Sequence, residues 1–426
     1  MNEKNILKIL VVNHTLPNVR GYTTVLFEKI VPILRKRINV ELIWVIHTNL
    51  DISSYSPQEN ETIIRMNDFN DAYEILEKIK PDLIYIIPGI SIPDYAFSLA
   101  AKYLHIFRIG GELGNGLFTK KNKIGILAQL SIKSHEGKNN SERFKIFIQK
   151  HFFLIKTQRK IHWNVLKIFA DLCSIVMMYF PLFGSRPDFS PKFELDLHIV
   201  ESELTEKTLT DLKFKKSKIF IAGNPNYDTS FQNAQKLKNI KINPNEIKIL
   251  ILTMTVFGGN KEQTLKQRDF FIKEVINQVN KSGKRILITI KIHPTNENYF
   301  EYKNLIESTD STLEIHQKGD VEKYIENSDV IITPATSTAI ISALIYRKPL
   351  IIWNIFGVEE DVLLENKLVI ECKDEHDIIP ALEKAITFQP STKKLEDFFT
   401  QYYYKTDGKA SERIANKIME IIGHNK

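Results

Sequence analysis

The sequence predicts an α/β protein of two domains, each a parallel sheet assembled from βαβ units, with a helical, basic and aromatic insertion in the first domain. Three observations lead there. Short apolar runs alternate with helix-spaced segments along most of the chain. At 426 residues the chain exceeds what one ordinary core supports. The alternation stops between Leu113 and Pro191 and then resumes.

The run Ile6–Val12 reads as a buried strand, followed by the loop His14–Tyr22. Leu26, Ile30, Ile33 and Leu34 recur at helical spacing in Thr24–Arg37, where Pro32 is a potential kink. Strands are expected at Val40–Ile46 and Thr62–Met66, a helix at Ala72–Lys80 and a strand at Leu83–Ile87. A loop with Gly89 and Pro93 leads to helix Tyr95–Tyr103 and strand Ile106–Ile109, which ends at Gly110-Gly111-Glu112. Order returns with strands Leu197–Ser202 and Lys218–Ala222 and the turn Gly223-Asn224-Pro225-Asn226-Tyr227-Asp228. The polar stretch Gln232–Asn245 reads as a connector.

The second domain then runs through strand Ile247–Thr253, helix Gln267–Ser282, strand Arg285–Ile292 and helix Phe300–Glu307. Strand Leu313–His316, helix Asp320–Asn327, strand Val330–Thr333, helix Ala339–Tyr346 and strand Pro349–Trp353 follow, and Pro380–Gly423 is mostly helical. Domains are thus expected at 1–235, with the insertion at about 113–191, and at 236–395. A tail, 396–426, is expected to pack back on the first domain.

The composition, 43% hydrophobic and 26% charged, is that of a soluble globular chain. Cys173 and Cys372 lie far apart without metal-ligand spacing, which points to a reducing compartment. Residues Met1–Lys8 lack the apolar stretch of a secretory signal, so a cytoplasmic location is expected. A net charge of +7 and a pI near 9.0 would ordinarily suggest nucleic acid. Their distribution argues against that partner, because Arg143–Lys167 alone carries seven Lys/Arg and no Asp or Glu. Phe144, Phe147, Phe152, Phe153, Trp163, Phe169, Tyr179, Phe180 and Phe183 lie in or beside that stretch. Lys167, Asp171 and Pro181 interrupt it as a membrane span. An amphipathic insertion (143–183) on an anionic membrane surface is one reading, and a helical hairpin packed on the protein's own core is the other.

Chemistry concentrates at strand ends, the edge where open parallel sheets bind ligands. His293, with Lys291 two residues earlier, precedes Pro294, and its imidazole suits a phosphate or ribose. Thr336, Ser337 and Thr338 precede a helix whose N-terminus attracts phosphate, although Ser and Thr are also ordinary caps. Asn224 either joins this donor site or only forms its turn. In the first domain Glu112 is a lone carboxylate among glycines, a general base or a turn cap. His14, Gly21, Gly110 and Gly111 are candidates to line the same region. A phosphate loop ending in Gly-Lys-Ser/Thr, a nucleophile elbow, a Cys/His cluster and an Asp-x-Asp pair are all absent from the sequence, so a metal-independent mechanism is expected.

With these segments in this order, the chain resembles the GT-B superfamily of nucleotide-sugar glycosyltransferases and the related UDP-N-acetylglucosamine 2-epimerases. Gly110-Gly111-Glu112-Leu113-Gly114 is similar to the acidic strand-end segment of the N-terminal domain, and Ala222–Asp228 to the Gly-Asn-Pro/Thr…Asp segment before the linker. Lys291-Ile292-His293-Pro294 and Thr336-Ser337-Thr338 resemble the His-Pro and Ser/Thr motifs of bacterial capsule transferases. The resemblance implies two Rossmann-like domains facing a cleft, donor phosphates held by His293 and Ser337/Thr338, and Glu112 as base on an acceptor hydroxyl.

Thr253-Met254-Thr255-Val256-Phe257 replaces the epimerases' Thr-x-His-Arg, and Thr338-Ala339 replaces their Gly-rich segment. Glu112 replaces the capsule transferases' acidic pair. The expectation is a glycosyltransferase with no tightly bound cofactor, using a UDP- or CMP-linked sugar on a glycan or lipid-linked acceptor in surface polysaccharide synthesis, peripheral at the inner membrane face. Alternatives are a sugar-nucleotide epimerase and a non-catalytic polysaccharide assembly factor.

Overall fold

A computed structural model describes residues 6–19, 22–47, 50–87, 91–111, 140–179, 193–236, 242–243, 246–253, 261–294, 297–307, 313–334, 338–356 and 362–424. It divides into two compact units. One comprises Met1–Asp228, Gln401–Lys405 and Lys409–Lys426; the other comprises Thr229–Thr400 and Thr406–Gly408. Both are α/β with wholly parallel pairing among the described strands, as the periodicity predicts.

The first unit is built on β1 (Ile6–Asn13), β2 (Asn39–Ile46), β3 (Glu61–Arg65), β4 (Leu83–Tyr85), β5 (Phe107–Gly110), β6 (Leu197–Val200) and β7 (Ile219–Ile221). Their order in the sheet is β3-β2-β1-β4-β5-β6-β7. The chain runs outward from β1, returns, and continues from β4. The crevice between β1 and β4 is therefore the switch point, where such sheets take ligands.

Side chains of β1 alternate between two cores, as a pleated strand covered on both faces requires. Leu7, Ile9 and Val11 join Leu26, Phe27 and Ile30 of helix α1 (Tyr22–Arg35) and Ile414, Ala415 and Ile418 from the C-terminal helix. Leu10 and Val12 face α2 (Ala72–Ile79) and α3 (Ile92–Tyr103). Helix α3 starts three residues before the expected Tyr95. Ser91 caps it by accepting the Asp94 N–H, and Pro93 sits in the first turn, where its missing N–H costs nothing.

Within the insertion, the described residues form α4 (Asn140–Lys160) and α5 (Val165–Tyr179). One face packs inward: Phe153, Leu154 and Ile175 enter the α3 core. Asp171 is buried there and accepts from Tyr95 Oη at 3.0 Å and Gln158 Nε2 at 2.7 Å. Thr157 Oγ1 accepts the Ala72 N–H at 3.0 Å, tying α4 to the start of α2. The other face is bare: Phe144, Phe147, Phe152, Val165, Leu166 and Phe169 are 54–80% exposed. Along these described residues, one side is packed on the protein's own core and the other is an exposed aromatic and basic face. No helix among the described residues is long and apolar enough to cross a membrane.

Helices α6 (Glu203–Asp211) and α7 (Asp228–Ala234) extend past what the periodicity showed, and α7 occupies the start of the expected connector. The second unit's sheet contains β8 (Glu246–Leu252), β9 (Arg285–Lys291), β10 (Glu314–His316), β11 (Val330–Thr333), β12 (Leu350–Trp353) and β13 (Ile370–Cys372). The order β10-β9-β8-β11-β12-β13 repeats the same plan, with the switch point between β8 and β11. Around it lie α8 (Lys261–Lys281), α9 (Tyr299–Glu307), α10 (Val321–Asn327), α11 (Thr338–Ile345), α12 (Val362–Glu365), α13 (Ile378–Thr387) and α14 (Thr392–Tyr403). Strand β13 and helix α12 have no counterpart in the sequence reading, being too short to show a period. The last helix, α15 (Ala410–His424), belongs to the first unit.

Candidate functional site

In the second unit the strand ends next to the switch point carry a hydrogen-bonded knot. Strand β9 ends at Lys291, and His293 follows two residues later. The His293 N–H is shared between Thr253 Oγ1 at 3.0 Å and Glu297 Oε2 at 3.1 Å. Thr253, just beyond β8, donates its hydroxyl to the same Glu297 oxygen at 2.7 Å. The other Glu297 oxygen accepts from Tyr302 Oη, and Gln317 Nε2 donates to the Glu297 carbonyl at 2.8 Å. Burial, with Glu297 beside it, pushes the Tyr302 phenol well above its ordinary range. It remains a donor, and the Arg268 guanidinium stacks 4.6 Å from its ring centre.

This network closes the His-Pro loop from β8, β9 and α9 and holds the half-buried His293 at the carboxyl edge of the sheet. Pro294 follows, exposed. Glu297, Thr253, Tyr302 and Gln317 were not singled out for this role from the sequence. The available signal was modest: Glu297 is the sole carboxylate between Lys291 and Phe300.

Lys291, a candidate donor contact beside His293, has its side chain turned inward. Its side chain is buried, and Nζ donates to the carbonyls of Gln317 at 2.6 Å and Ile292 at 3.3 Å. It ties β9 to the end of β10 and leaves a positive charge beneath the loop. Helix α11 begins at Thr338, five positions past the end of β11 at Thr333. Thr336, Ser337 and the Thr338 side chain lie outside the described residues, as do Glu112 and Gly21.

In the first unit, Gly110 and Gly111 end β5 between two neighbouring backbones. A Cβ on Gly110 would meet the Ile86 carbonyl oxygen at 1.8 Å, and one on Gly111 the Ile199 carbonyl oxygen at 1.9 Å, both impossible contacts. Only glycine lets β4, β5 and β6 converge there, so these residues have a packing reason. His14 follows β1 at the same edge and is exposed.

Asn224 is buried with both amide atoms engaged. Nδ2 donates to Glu201 Oε2 at 3.0 Å, and Oδ1 accepts the Asn226 N–H at 3.0 Å. Asp228, at the end of the same segment, accepts the N–H groups of Ala410 and Ser411, both at 2.8 Å, and so caps α15. The Gly-Asn-Pro…Asp segment therefore clasps the C-terminal helix to the first unit.

The second unit also contains a cavity of about 760 Å³ lined by Arg347, Lys348, Phe388 and Phe399 among others. It opens at the amino-terminal ends of β11 and β12, away from His293. No group of three or more His, Cys, Asp or Glu is placed to hold a metal ion among the described residues.

Residues 195–419, more than half of the chain, match the family model of UDP-N-acetylglucosamine 2-epimerase. The chain belongs to this family. No curated protein matches it by sequence. Among solved structures, the UDP-GlcNAc 2-epimerase of Methanocaldococcus jannaschii is similar at 16% identity and a TM-score of 0.54, over 97% of this chain and 99% of that one. The Neisseria meningitidis UDP-GlcNAc 2-epimerase bound to UDP-GlcNAc gives 16% identity and 0.53, over 97% and 100%. The calicheamicin glycosyltransferase CalG4 gives 12% and 0.54, over 99% of each chain. At these identities the likeness is one of fold. Members of the family and a GT-B glycosyltransferase share the two-domain plan, so this chain is a GT-B-type protein related to the epimerases.

Replacing Glu297 with Ala leaves the Thr253 hydroxyl, the His293 N–H and the Tyr302 phenol without their common acceptor. Urea denaturation should show a loss of about 1–3 kcal/mol, and Glu297→Gln, which keeps carbonyl acceptance, should lose less. Equal stability of wild type and Glu297→Ala would contradict the network.

Proposed function

We propose that the protein is a glycosyltransferase taking its sugar from a UDP-linked donor. The observation that carries this reading is the His-Pro loop, fixed by Glu297 and Thr253 at the carboxyl edge of the second sheet, with helix α11 starting from the neighbouring strand end. His293, with Thr336, Ser337 and Thr338, would bind the donor's phosphates. Oriented N–H groups at the α11 N-terminus and the charge of Lys291 would stabilise the negative charge that develops on the leaving phosphate. UDP is favoured over CMP because the structurally similar epimerase of Neisseria meningitidis is bound to UDP-GlcNAc. The base for the acceptor hydroxyl is sought at the carboxyl edge of the first sheet, where Glu112 is the candidate from the sequence.

A second reading, epimerisation of a UDP-sugar without an acceptor, is favoured by the family match. Against it stand Thr253-Met254-Thr255-Val256-Phe257 and Thr338-Ala339, which depart from the epimerase segments.

The acceptor we propose is a glycan or lipid-linked sugar of surface polysaccharide synthesis, met at the inner face of the plasma membrane. The bare face of α4 and α5 supports this. Six exposed apolar side chains stand among Lys145, Lys156, Arg159, Lys160 and Lys167, with no acidic residue from Arg143 to Lys167. Covering each would recover roughly 1.5–3 kcal/mol, and the cations suit anionic headgroups.

His293→Ala should lower turnover of UDP-GlcNAc, in the presence of a glycan acceptor, by about 100-fold or more while the protein unfolds at the wild-type urea concentration; undiminished turnover would contradict the donor site. Product analysis separates the two chemistries. Release of UDP that depends on acceptor supports transfer, whereas conversion of UDP-GlcNAc alone into its 2-epimer supports the second reading. The full chain should sediment with vesicles containing anionic lipid and dissociate in high salt, and Phe144→Glu/Leu166→Glu should abolish this. Sedimentation that is indifferent to lipid charge or to these substitutions would rule out the membrane face.

A further inference from the structure

The cavity of the second unit lies at the opposite ends of the strands from His293, and the proposed function gives it no role. Its volume, about 760 Å³, falls in the range that holds a small molecule. Every described residue that lines it belongs to the second unit. Asp329 comes just before β11, and Arg347 and Lys348 form the turn from α11 into β12. Phe388 follows α13, Phe399 lies on α14 and Phe231 on α7. Helices α7 and α14 are also where the chain passes between the units, at Asp228–Thr229 and Thr400–Gln401. An occupant would touch both connecting segments.

Apolar groups make up much of the wall. Phe231 and Phe399, 7% and 5% exposed, meet edge to face with ring centres 5.4 Å apart. Positive groups collect in the same cavity. Lys348 is 6% exposed, and its Nζ donates to the carbonyls of Ser328 at 2.6 Å and Glu326 at 2.9 Å. An ammonium has three N–H groups, so one is left without a hydrogen-bond partner among the described residues. Burial works against the Lys348 charge, and Asp329 and Glu326 oppose that effect. An anion close by would oppose it further.

Arg347 is exposed, and its guanidinium has neither a hydrogen bond nor an ion pair among the described residues. Its φ of 54° lies in the left-handed region, at the end of α11 where glycine is the ordinary residue. The start of α14 adds the positive end of a helix, since Pro390 and Thr392 line the cavity and the first turn holds no acidic residue. Of the two acidic residues in the wall, Asp329 is engaged by the Lys248 N–H at 2.8 Å, and Glu396 is exposed.

We propose that this cavity is a binding site for a small amphipathic anion. Its apolar body would lie against Phe231, Phe388 and Phe399, and its phosphate or carboxylate would meet Arg347, Lys348 and the start of α14. Apolar walls alone would suit a neutral ligand, and cations alone a free ion; one cavity with both favours a ligand that carries both. The inference goes beyond the transferase reading and does not depend on it.

The test uses the full chain and octyl phosphate below its micelle-forming concentration, followed by calorimetry and amide hydrogen exchange. Octyl phosphate should bind and slow exchange in peptides covering 344–349 and 386–399. Inorganic phosphate and octanol, each with half of the ligand's chemistry, should bind at least about tenfold more weakly. Arg347→Gly removes the guanidinium and suits the left-handed backbone, so this variant should unfold at the wild-type urea concentration or above it. Its affinity for octyl phosphate should fall about tenfold or more. Absence of octyl phosphate binding, equal binding by wild type and Arg347→Gly, or equally tight binding of inorganic phosphate or octanol overturns the assignment. Protection confined to 140–179 also overturns it, by placing the ligand on the bare face of α4 and α5. UDP should bind Arg347→Gly as it binds the wild type; UDP that binds neither overturns the donor reading and leaves the present assignment standing.

Discussion

Because the strands of each sheet run parallel and are buried, their polar groups can reach a ligand only where the strands end. This constraint shapes the whole molecule. The buried positions of β1, β8 and β11 are filled mainly with Ile, Leu and Val because a polar side chain there would be cut off from water. Polar and ionisable residues then collect immediately after the last paired residue: His14 after β1, His47 after β2, Thr253 after β8 and His293 after β9. Each sheet also reverses its strand order beside its first strand, which opens a crevice at that edge.

Holding a loop at such an edge requires partners, since the ladder that ordered the strand has stopped. The second unit solves this with one carboxylate. Glu297 gathers a main-chain N–H, a hydroxyl and a phenol, so the placement of His293 depends on three elements at once. The first unit solves it by close approach: Gly110 and Gly111 let neighbouring carbonyls come where any side chain would collide.

This division explains what the sequence disclosed. Apolar runs and their spacing reveal β1, β2, β8, β9 and β11 because burial on both faces leaves a local signature. His293 is visible because it stands next to Pro294 at the end of such a run. Glu297 is harder to read, since its role depends on Thr253, 44 positions away. Asn224 looked like a turn or a ligand contact, and the carboxylate that occupies its amide, Glu201, is 23 positions distant. The insertion shows the limit most clearly. In α4 and α5 apolar residues lie on the packed face and on the bare face alike, so periodicity alone cannot separate Phe153, which is buried, from Phe152, which is exposed.

The central claim is that the carboxyl edge of the second sheet, around His293 and the start of α11, receives a nucleotide's phosphates. Amide hydrogen exchange of the full chain with and without UDP tests it most directly. The account predicts that UDP slows exchange in peptides covering 291–297 and the first turn of α11, with little change along β10 and β13. UDP that binds without protecting either segment, or that fails to bind, would contradict it.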